Sequence, residues 1–361
     1  MVDELCSFLT ATGTKIIYAV NFRSDNVTAS AAEAAYTQGK CGSSIYGFEI
    51  GNEINFQGSW AALETKWESF ATAIVATPGA LLIGPAAAGG SEESFVAPFA
   101  AAESVKFGSK LVLLTDHYYA GAAGTSSDSV AQLQTPNAGG LVGRVGDLNG
   151  IATKNKIPDG YRLGETNTDS HHGQMGVSDT LIAGLWSLDE MFTVAENGGG
   201  GVNYHGGETG MDGTVPFYYE PIMEHNGAVV QVQPVYYGML LFYLAGQGSV
   251  LSTTATSTNP DFTAYALKTS GWTSVVLDNK DASGVNATVN MGAAVTSASA
   301  IYLQATPAGS LTAPATGVTV AGAGVTPTGA WTPKAPYVQT VSGNTVSVYV
   351  PPASAVLVHV L

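Results

Sequence analysis

Along the first two-thirds of the chain, short unbroken apolar runs alternate with stretches in which apolar residues recur every three or four positions. The runs are Lys15 to Asn21, Ile45 to Gly51, Ala80 to Pro85, Lys110 to Asp116, Tyr161 to Gly164 and Gly201 to His205. Each is short and largely apolar, which predicts a strand buried on both faces, as in a parallel sheet. Between them, Val2, Leu5 and Leu9 mark one face of a helix closed by Gly13, and Trp60, Leu63, Trp67, Phe70 and Ile74 mark a helix over about 59–76. Leu181, Leu185, Leu188 and Phe192 mark another, with Ser178 as its expected N-cap. Strand–helix alternation of this kind predicts a parallel β/α architecture, either a barrel or an open sheet.

From about residue 246 the helical period disappears. Val/Thr-rich alternating runs take over at Tyr265 to Lys268, Thr273 to Asp278, Asn286 to Met291, Ala300 to Gln304, Thr345 to Val350 and Ala355 to Leu361. Gly, Pro, Ser and Asn punctuate them, which predicts an antiparallel β-sandwich. The organisation expected is therefore a β/α domain over 1–245 followed by a β-sandwich over 246–361.

Composition narrows the function. Charged residues are 11% of the 361, with 13 Lys+Arg against 28 Asp+Glu and a net charge of −15. A field of that sign repels phosphate backbones and argues against nucleic-acid binding. No run of 18 or more apolar residues provides a membrane span. Cys6 and Cys41 either pair in an oxidising compartment or remain two separate buried thiols, and the sequence leaves both open. Met1 is not followed by a basic stretch and an apolar segment, so no signal peptide is expected in this chain. Low Lys with abundant Ser, Thr and Gly is common in secreted proteins, and an extracellular or periplasmic location is expected.

Polar residues gather where the predicted strands end: Asn52-Glu53, Asp116-His117-Tyr118-Tyr119, Glu165-Thr166-Asn167 and Asn203-Tyr204-His205. In a β/α barrel that end is the active face. Glu53 and Glu165 stand in similar contexts, just beyond Gly51 and Gly164. A facing pair of carboxylates can hydrolyse a glycoside, one protonating the leaving oxygen while the other attacks the anomeric carbon. No cofactor is expected.

These motifs carry a resemblance. Ile50-Gly51-Asn52-Glu53 resembles the Asn-Glu acid/base motif on strand four of glycoside hydrolase clan A. Leu163 to Asn167, Gly176 to Thr180 and Gly201 to Gly207 are similar to segments of glycoside hydrolase family 79, which contains β-glucuronidases and heparanases. The similarity extends to Tyr265-Ala-Leu-Lys and to Val275-Val-Leu-Asp-Asn-Lys in the C-terminal region. It implies an α/β fold, a (β/α)8-type barrel, with Glu53 as general acid/base and Glu165 as nucleophile. It further implies that Asn52 binds the sugar 2-hydroxyl, that His117, Tyr118 and Tyr119 line the pocket, and that Tyr219 helps to hold a uronate carboxylate. Asn167 and His205, at strand ends, complete the candidate substrate-binding residues. By this alignment the six runs are strands three to eight, so the barrel lacks its first two strands and leaves two edges unpaired.

Other motifs carry less. His171-His172 with Asp169 lack further ligands at metal spacing, so no metal is expected and loop lining is the preferred role. Asn197 to Gly201 precedes a strand and reads as a helix-to-strand turn, not a phosphate loop. Asn26-Val-Thr and Asn286-Ala-Thr are glycosylation sequons. Trp60 and Trp67 lie on an apolar helix stripe and belong to the core. The leading expectation is an exo-acting retaining glycosidase that removes β-glucuronic acid from a small glucuronide or a glycan end. A clan-like enzyme acting on a neutral sugar, or a non-catalytic carbohydrate-binding protein, are the alternatives.

Overall fold

The computed structural model describes residues 1–125, 128–207 and 217–361. In the β/α region the elements follow in the order α1 (Val2–Thr12), β1 (Ile16–Val20), α2 (Val27–Cys41), β2 (Ile45–Ile50), α3 (Trp60–Val75), β3 (Leu82–Ala87), α4 (Ala97–Phe107) and β4 (Leu111–Ala122). They continue with α5 (Val130–Gln134), α6 (Leu141–Lys154), β5 (Tyr161–Ser170), α7 (Leu181–Glu196) and β6 (Val202–Tyr204). All six predicted strands are present and form one curled parallel sheet in the order β1-β2-β3-β4-β5-β6. By contacts the chain forms two compact units, 1–118, 142–166 and 197–203 on the one hand, 119–141, 167–196 and 204–361 on the other.

In the first unit, β3 is buried along its whole length, as its apolar run predicts. The stripe of α3 buries Trp60 and Trp67 completely or nearly so. Their rings meet Phe95 and Phe99 edge-on at 5.0–5.8 Å between centroids, a favoured aromatic geometry. Gly13 closes α1 in the left-handed conformation (φ 67°). Cys6 and Cys41 are joined by a disulfide, which resolves the alternative left open above and ties α1 to the end of α2. Asn26 caps α2, accepting a hydrogen bond from the Ala29 amide.

In the second unit, α7 is buried from Leu181 to Val194. It crosses α8 (Pro234–Ala245) so closely that a Cβ on Gly184 would lie 2.6 Å from the Pro234 carbonyl, and one on Gly238 would lie 2.3 Å from that of Gly184. Ser178 does not cap α7, which begins three residues later. Its buried hydroxyl instead accepts from Thr168 Oγ1 and the Gln174 amide and donates to Asp169, locking the preceding loop. The turn expected at Asn197 to Gly201 is in place between α7 and β6.

A hairpin of β7 (Ile222–His225) and β8 (Ala228–Val232), which the hydrophobic pattern did not reveal, precedes α8. The C-terminal region is antiparallel. Its larger sheet contains β9 (Ser249–Leu251), β10 (Phe262–Lys268), β11 (Thr273–Asn279), β13 (Ala298–Ala305), β14 (Val318–Val320), β15 (Tyr337–Val338) and β18 (Ser354–Val360). The smaller contains β12 (Val285–Asn290), β16 (Thr340–Ser342) and β17 (Thr345–Val350). Val275, Leu277, Ala300, Val356 and Val358 from the larger sheet share one apolar cluster with Val346, Val348 and Val350 from the smaller. No helix among the described residues is long and apolar enough to cross a membrane.

One buried charge network joins α7 to the larger sheet. Fully buried Lys280 pairs with Asp189 of α7 and with Asp278 at 3.2 Å. Thr263 and Tyr265 both donate to the other oxygen of Asp189, at 2.5 and 2.8 Å. A buried pair contributes little net stability when complete but is costly to break, because one charge is then stranded. Lys280→Met is therefore expected to destabilise the protein by about 3–5 kcal/mol, measured as a lowered denaturant midpoint. A midpoint unchanged by Lys280→Met would show that the network is not formed.

Candidate active site

The site is built from the turn after β2 and from within β4 and β5, which were expected to end near His117 and Glu165 but run on to Ala122 and Ser170. A Cβ on Gly51 would meet Ile54 Cγ2 at 2.5 Å and Phe22 Cβ at 2.8 Å, and the residue has φ 87°, so only glycine fits here. The turn it allows holds Glu53 in the left-handed region (φ 48°, ψ 43°). Such a conformation is uncommon for a residue with a Cβ and tends to occur where a side chain must be aimed. The Glu53 amide is fixed by a 2.8 Å hydrogen bond to the Ala86 carbonyl near the end of β3.

His117 of β4 lies between the two glutamates. Its Nδ1 is 3.1 Å from Glu53 Oε1 and 3.7 Å from Glu165 Oε2. One oxygen from each carboxylate and an imidazole nitrogen all lie within 4.8 Å of one another, so the two acids, distant in sequence, do meet. His117 is buried, while Glu53 and Glu165 are half-buried. Burial opposes a charged imidazole at His117. Its hydrogen bond with Glu53 and the charges of Glu165, Glu49 and Glu53 outweigh that, and the imidazole titrates above its ordinary value. The same three side chains have the reach to ligate a divalent ion.

A third carboxylate, Glu49, was not among the expected residues. Thr115 donates to its Oε1 at 2.5 Å and accepts the Ala86 amide at 3.0 Å. Gly164 makes room for this arrangement, since a Cβ there would lie 3.1 Å from Thr115. Burial is the main cause pushing the Glu49 carboxyl up, against the Thr115 hydrogen bond and the His117 charge, and Glu165 adds to the push. The signal was in the sequence: Glu49 interrupts an otherwise apolar strand, and on a buried strand such a residue has to find polar company.

The remaining expected residues are distributed among different surroundings. Asn52 is exposed and lines, with Asn21, Phe22, Arg23, Glu53 and Phe56, a cavity of about 560 Å³. Tyr118 is not beside the glutamates. Strand alternation turns it to the other face of β4, where the Arg144 guanidinium lies 5.4 Å from its ring. Asp116 shares that face, 4.0 Å from Arg144, which also donates to Glu92 at 2.5 Å. Burial first, then the Glu92 charge, raises the Asp116 carboxyl well above its ordinary range.

Tyr119, His205 and Tyr219 form a cluster in the second unit. His205 Nδ1 is 3.1 Å from Tyr119 Oη and 2.7 Å from Tyr219 Oη. Phe217 stacks on Tyr219, with ring planes 18° apart. Asn167 is fully buried and donates to the carbonyls of His205 and Tyr219 at 3.0 and 3.1 Å, so it braces the backbone that carries them. His172 stacks on Phe217, while Asp169 is held by Ser178 and pushed up to about 6, mainly by burial.

No family model matches the chain, and no curated protein matches it in sequence. Its fold is similar to that of solved glycoside hydrolases. One is a 4-O-α-L-rhamnosyl-β-D-glucuronidase from Fusarium oxysporum 12S in complex with Rha-GlcA, at TM-score 0.76 and 21% identity over 99% of this chain and 79% of that one. Another is a family 51 arabinofuranosidase from Xanthomonas axonopodis pv. citri, at TM-score 0.67 and 17% identity over 99% and 78%. A family 44 xyloglucanase from Paenibacillus polymyxa matches at TM-score 0.61 and 13% identity over 92% and 70%. At these identities the likeness is one of fold.

The raised pKa of His117 fixes the sign of a pH effect. Its pairing with carboxylates contributes stability that is fully present below the unfolded-state value of about 6.5. That stability is lost as pH rises through the higher folded-state value. His117→Gln is expected to cost more stability at pH 6 than at pH 9, read from denaturant midpoints of parent and variant. An equal cost at both would mean that the imidazole is not charged in the folded protein.

Proposed function

We propose that this protein is a retaining glycoside hydrolase that releases terminal β-glucuronic acid. The observation carrying this reading is the separation of Glu53 and Glu165, with carboxylate oxygens inside 4.8 Å. Retaining enzymes hold their carboxyl groups about 5–5.5 Å apart, whereas inverting ones leave about 6.5–9.5 Å for a water. In the first step the Glu165 carboxylate attacks the anomeric carbon while Glu53 protonates the departing oxygen, giving a glycosyl ester. In the second, Glu53 takes a proton from water, whose oxygen attacks the same carbon and frees Glu165. His117 holds both acids in place, and the proton that Glu53 delivers rests on the imidazole–carboxylate pair between turnovers. Asn52, exposed beside Glu53, is assigned to the sugar 2-hydroxyl.

Several features support a uronic acid. By the family resemblance, Tyr219 is assigned to the uronate carboxylate. A net charge of −15 is unsuited to long sulfated polymers. The similar Fusarium enzyme is itself named a glucuronidase. A neutral sugar is the second reading, supported by the arabinofuranosidase and xyloglucanase among the similar folds. A non-catalytic sugar-binding protein is the third. We read the parallel sheet as strands three to eight of a (β/α)8-type barrel and the two C-terminal sheets, which share an apolar cluster, as a sandwich. The Cys6–Cys41 disulfide supports an extracellular or periplasmic location.

Two experiments test these readings. Glu165→Gln is expected to abolish turnover of all substrates. Glu53→Gln should slow glycosides with poor leaving groups by about 10²–10⁴-fold and nitrophenyl glycosides far less. Full activity in Glu165→Gln removes the nucleophile assignment, and sugar binding without turnover in the parent favours the non-catalytic reading. A panel of nitrophenyl glycosides should show highest kcat/KM for the β-glucuronide, with turnover persisting in chelator. Preference for an arabinofuranoside or glucoside selects the neutral-sugar reading.

A further inference from the structure

Helices α3 and α4 bring a separate group of acids together. Glu64 and Glu68 stand one turn apart on α3, and Glu103 projects from α4 between them. An oxygen from each lies within 4.8 Å of the other two. Glu103 is completely buried, and among the described residues neither of its oxygens meets a hydrogen-bond donor. Lys106, one turn along α4, pairs with Glu68. Three carboxylates against one ammonium leave two uncompensated negative charges. Burial, with Glu68 and Glu64 beside it and Lys106 opposing, pushes the Glu103 carboxyl up to about 7. A buried carboxylate without a donor is costly and calls for a proton or a cation.

We propose that Glu64, Glu68 and Glu103 bind one calcium ion that clamps α3 to α4. The donors are all carboxylate oxygens, which select a hard ion over zinc. Calcium accepts about 6–8 oxygen ligands in flexible geometry and takes several carboxylates directly. Magnesium demands near-octahedral geometry, keeps several waters and usually takes only one or two carboxylates, so three converging carboxylates favour calcium. The two charges of the ion balance the two left over, and Glu68 keeps one oxygen for Lys106 and has another for the ion. Water completes the coordination shell.

The test is calorimetric titration of calcium chloride into chelator-treated full-length protein at pH 8, with thermal unfolding in parallel. We expect one site per chain, at least tenfold tighter for calcium than for magnesium, and a calcium-dependent rise in melting temperature. Glu103→Gln and Glu64→Gln should each weaken binding at least tenfold and remove the rise. Glu165→Gln should leave both intact, which separates this site from the Glu53–His117–Glu165 group. If Glu103→Gln fails to fold, Glu64→Gln carries the test, since its side chain is only half-buried. No heat of binding at millimolar calcium, a calcium response unchanged in Glu64→Gln, or its loss in Glu165→Gln overturns the proposal. Equal affinity for magnesium overturns the choice of ion.

Discussion

Two carboxylates held inside 4.8 Å repel each other by about 3–4 kcal/mol at an effective dielectric constant near 20. The Glu53–Glu165 arrangement therefore depends on a compensating positive group, and His117 provides it. The geometry of the sheet delivers all three. β4 and β5 are neighbours, so His117 and Glu165 arrive on adjacent strands about 4.8 Å apart. Glu53 comes from the turn after β2 and crosses above the end of β3, where the Ala86 carbonyl anchors its amide. The curled sheet brings the turn after β2 together with residues within β4 and β5 in one polar cluster.

The same strand serves two separate layers because its side chains alternate. Thr115 and His117 of β4 meet Glu49, Glu53 and Glu165 on one face, while Asp116 and Tyr118 meet Arg144 and Glu92 on the other. Most of the charged residues lie at or near the surface, but a minority, Glu92 and Asp116 among them, is placed in buried groups of this kind. Lys280 with Asp189 and Asp278 follows the same rule in the second unit. Each group carries at least one cation among its carboxylates, as burial requires.

The strands were legible because each run is short and largely apolar, but the expected burial on both faces holds throughout only for β3, while β1 has an exposed Ala19 and β6 is only half-buried. Glu53 and Glu165 were legible because each is an acid that directly follows such a run, although β5 continues past Glu165 to Ser170. Tyr118 was misplaced because β4 continues as regular strand to Ala122, well past the end of its apolar run, and each further residue reverses facing. Reading His117, Tyr118 and Tyr119 as one lining ignored that alternation. The role of Asn167 was hidden as well, since bracing two carbonyls depends on where Tyr219 and His205 return in space. Ser178 looked like a helix cap by composition, and only the nearness of Thr168 and Asp169 shows what its hydroxyl does.

The spacing Gly51-Asn52-Glu53 has a physical explanation that does not depend on any resemblance. A strand leaving the sheet has to reverse quickly if its next acidic residue is to point back over the strand ends. Gly51 permits the reversal, since any side chain there would strike Ile54 and Phe22. Glu53 then adopts a left-handed backbone, which costs about 1 kcal/mol or more. A strained residue persists only where its surroundings over-determine it, and here the 2.8 Å bond to Ala86 and the contact with His117 both act on Glu53. The strain is thus offset by the same contacts that aim the carboxylate. A longer or more relaxed turn would leave Glu53 in solvent, out of reach of Glu165.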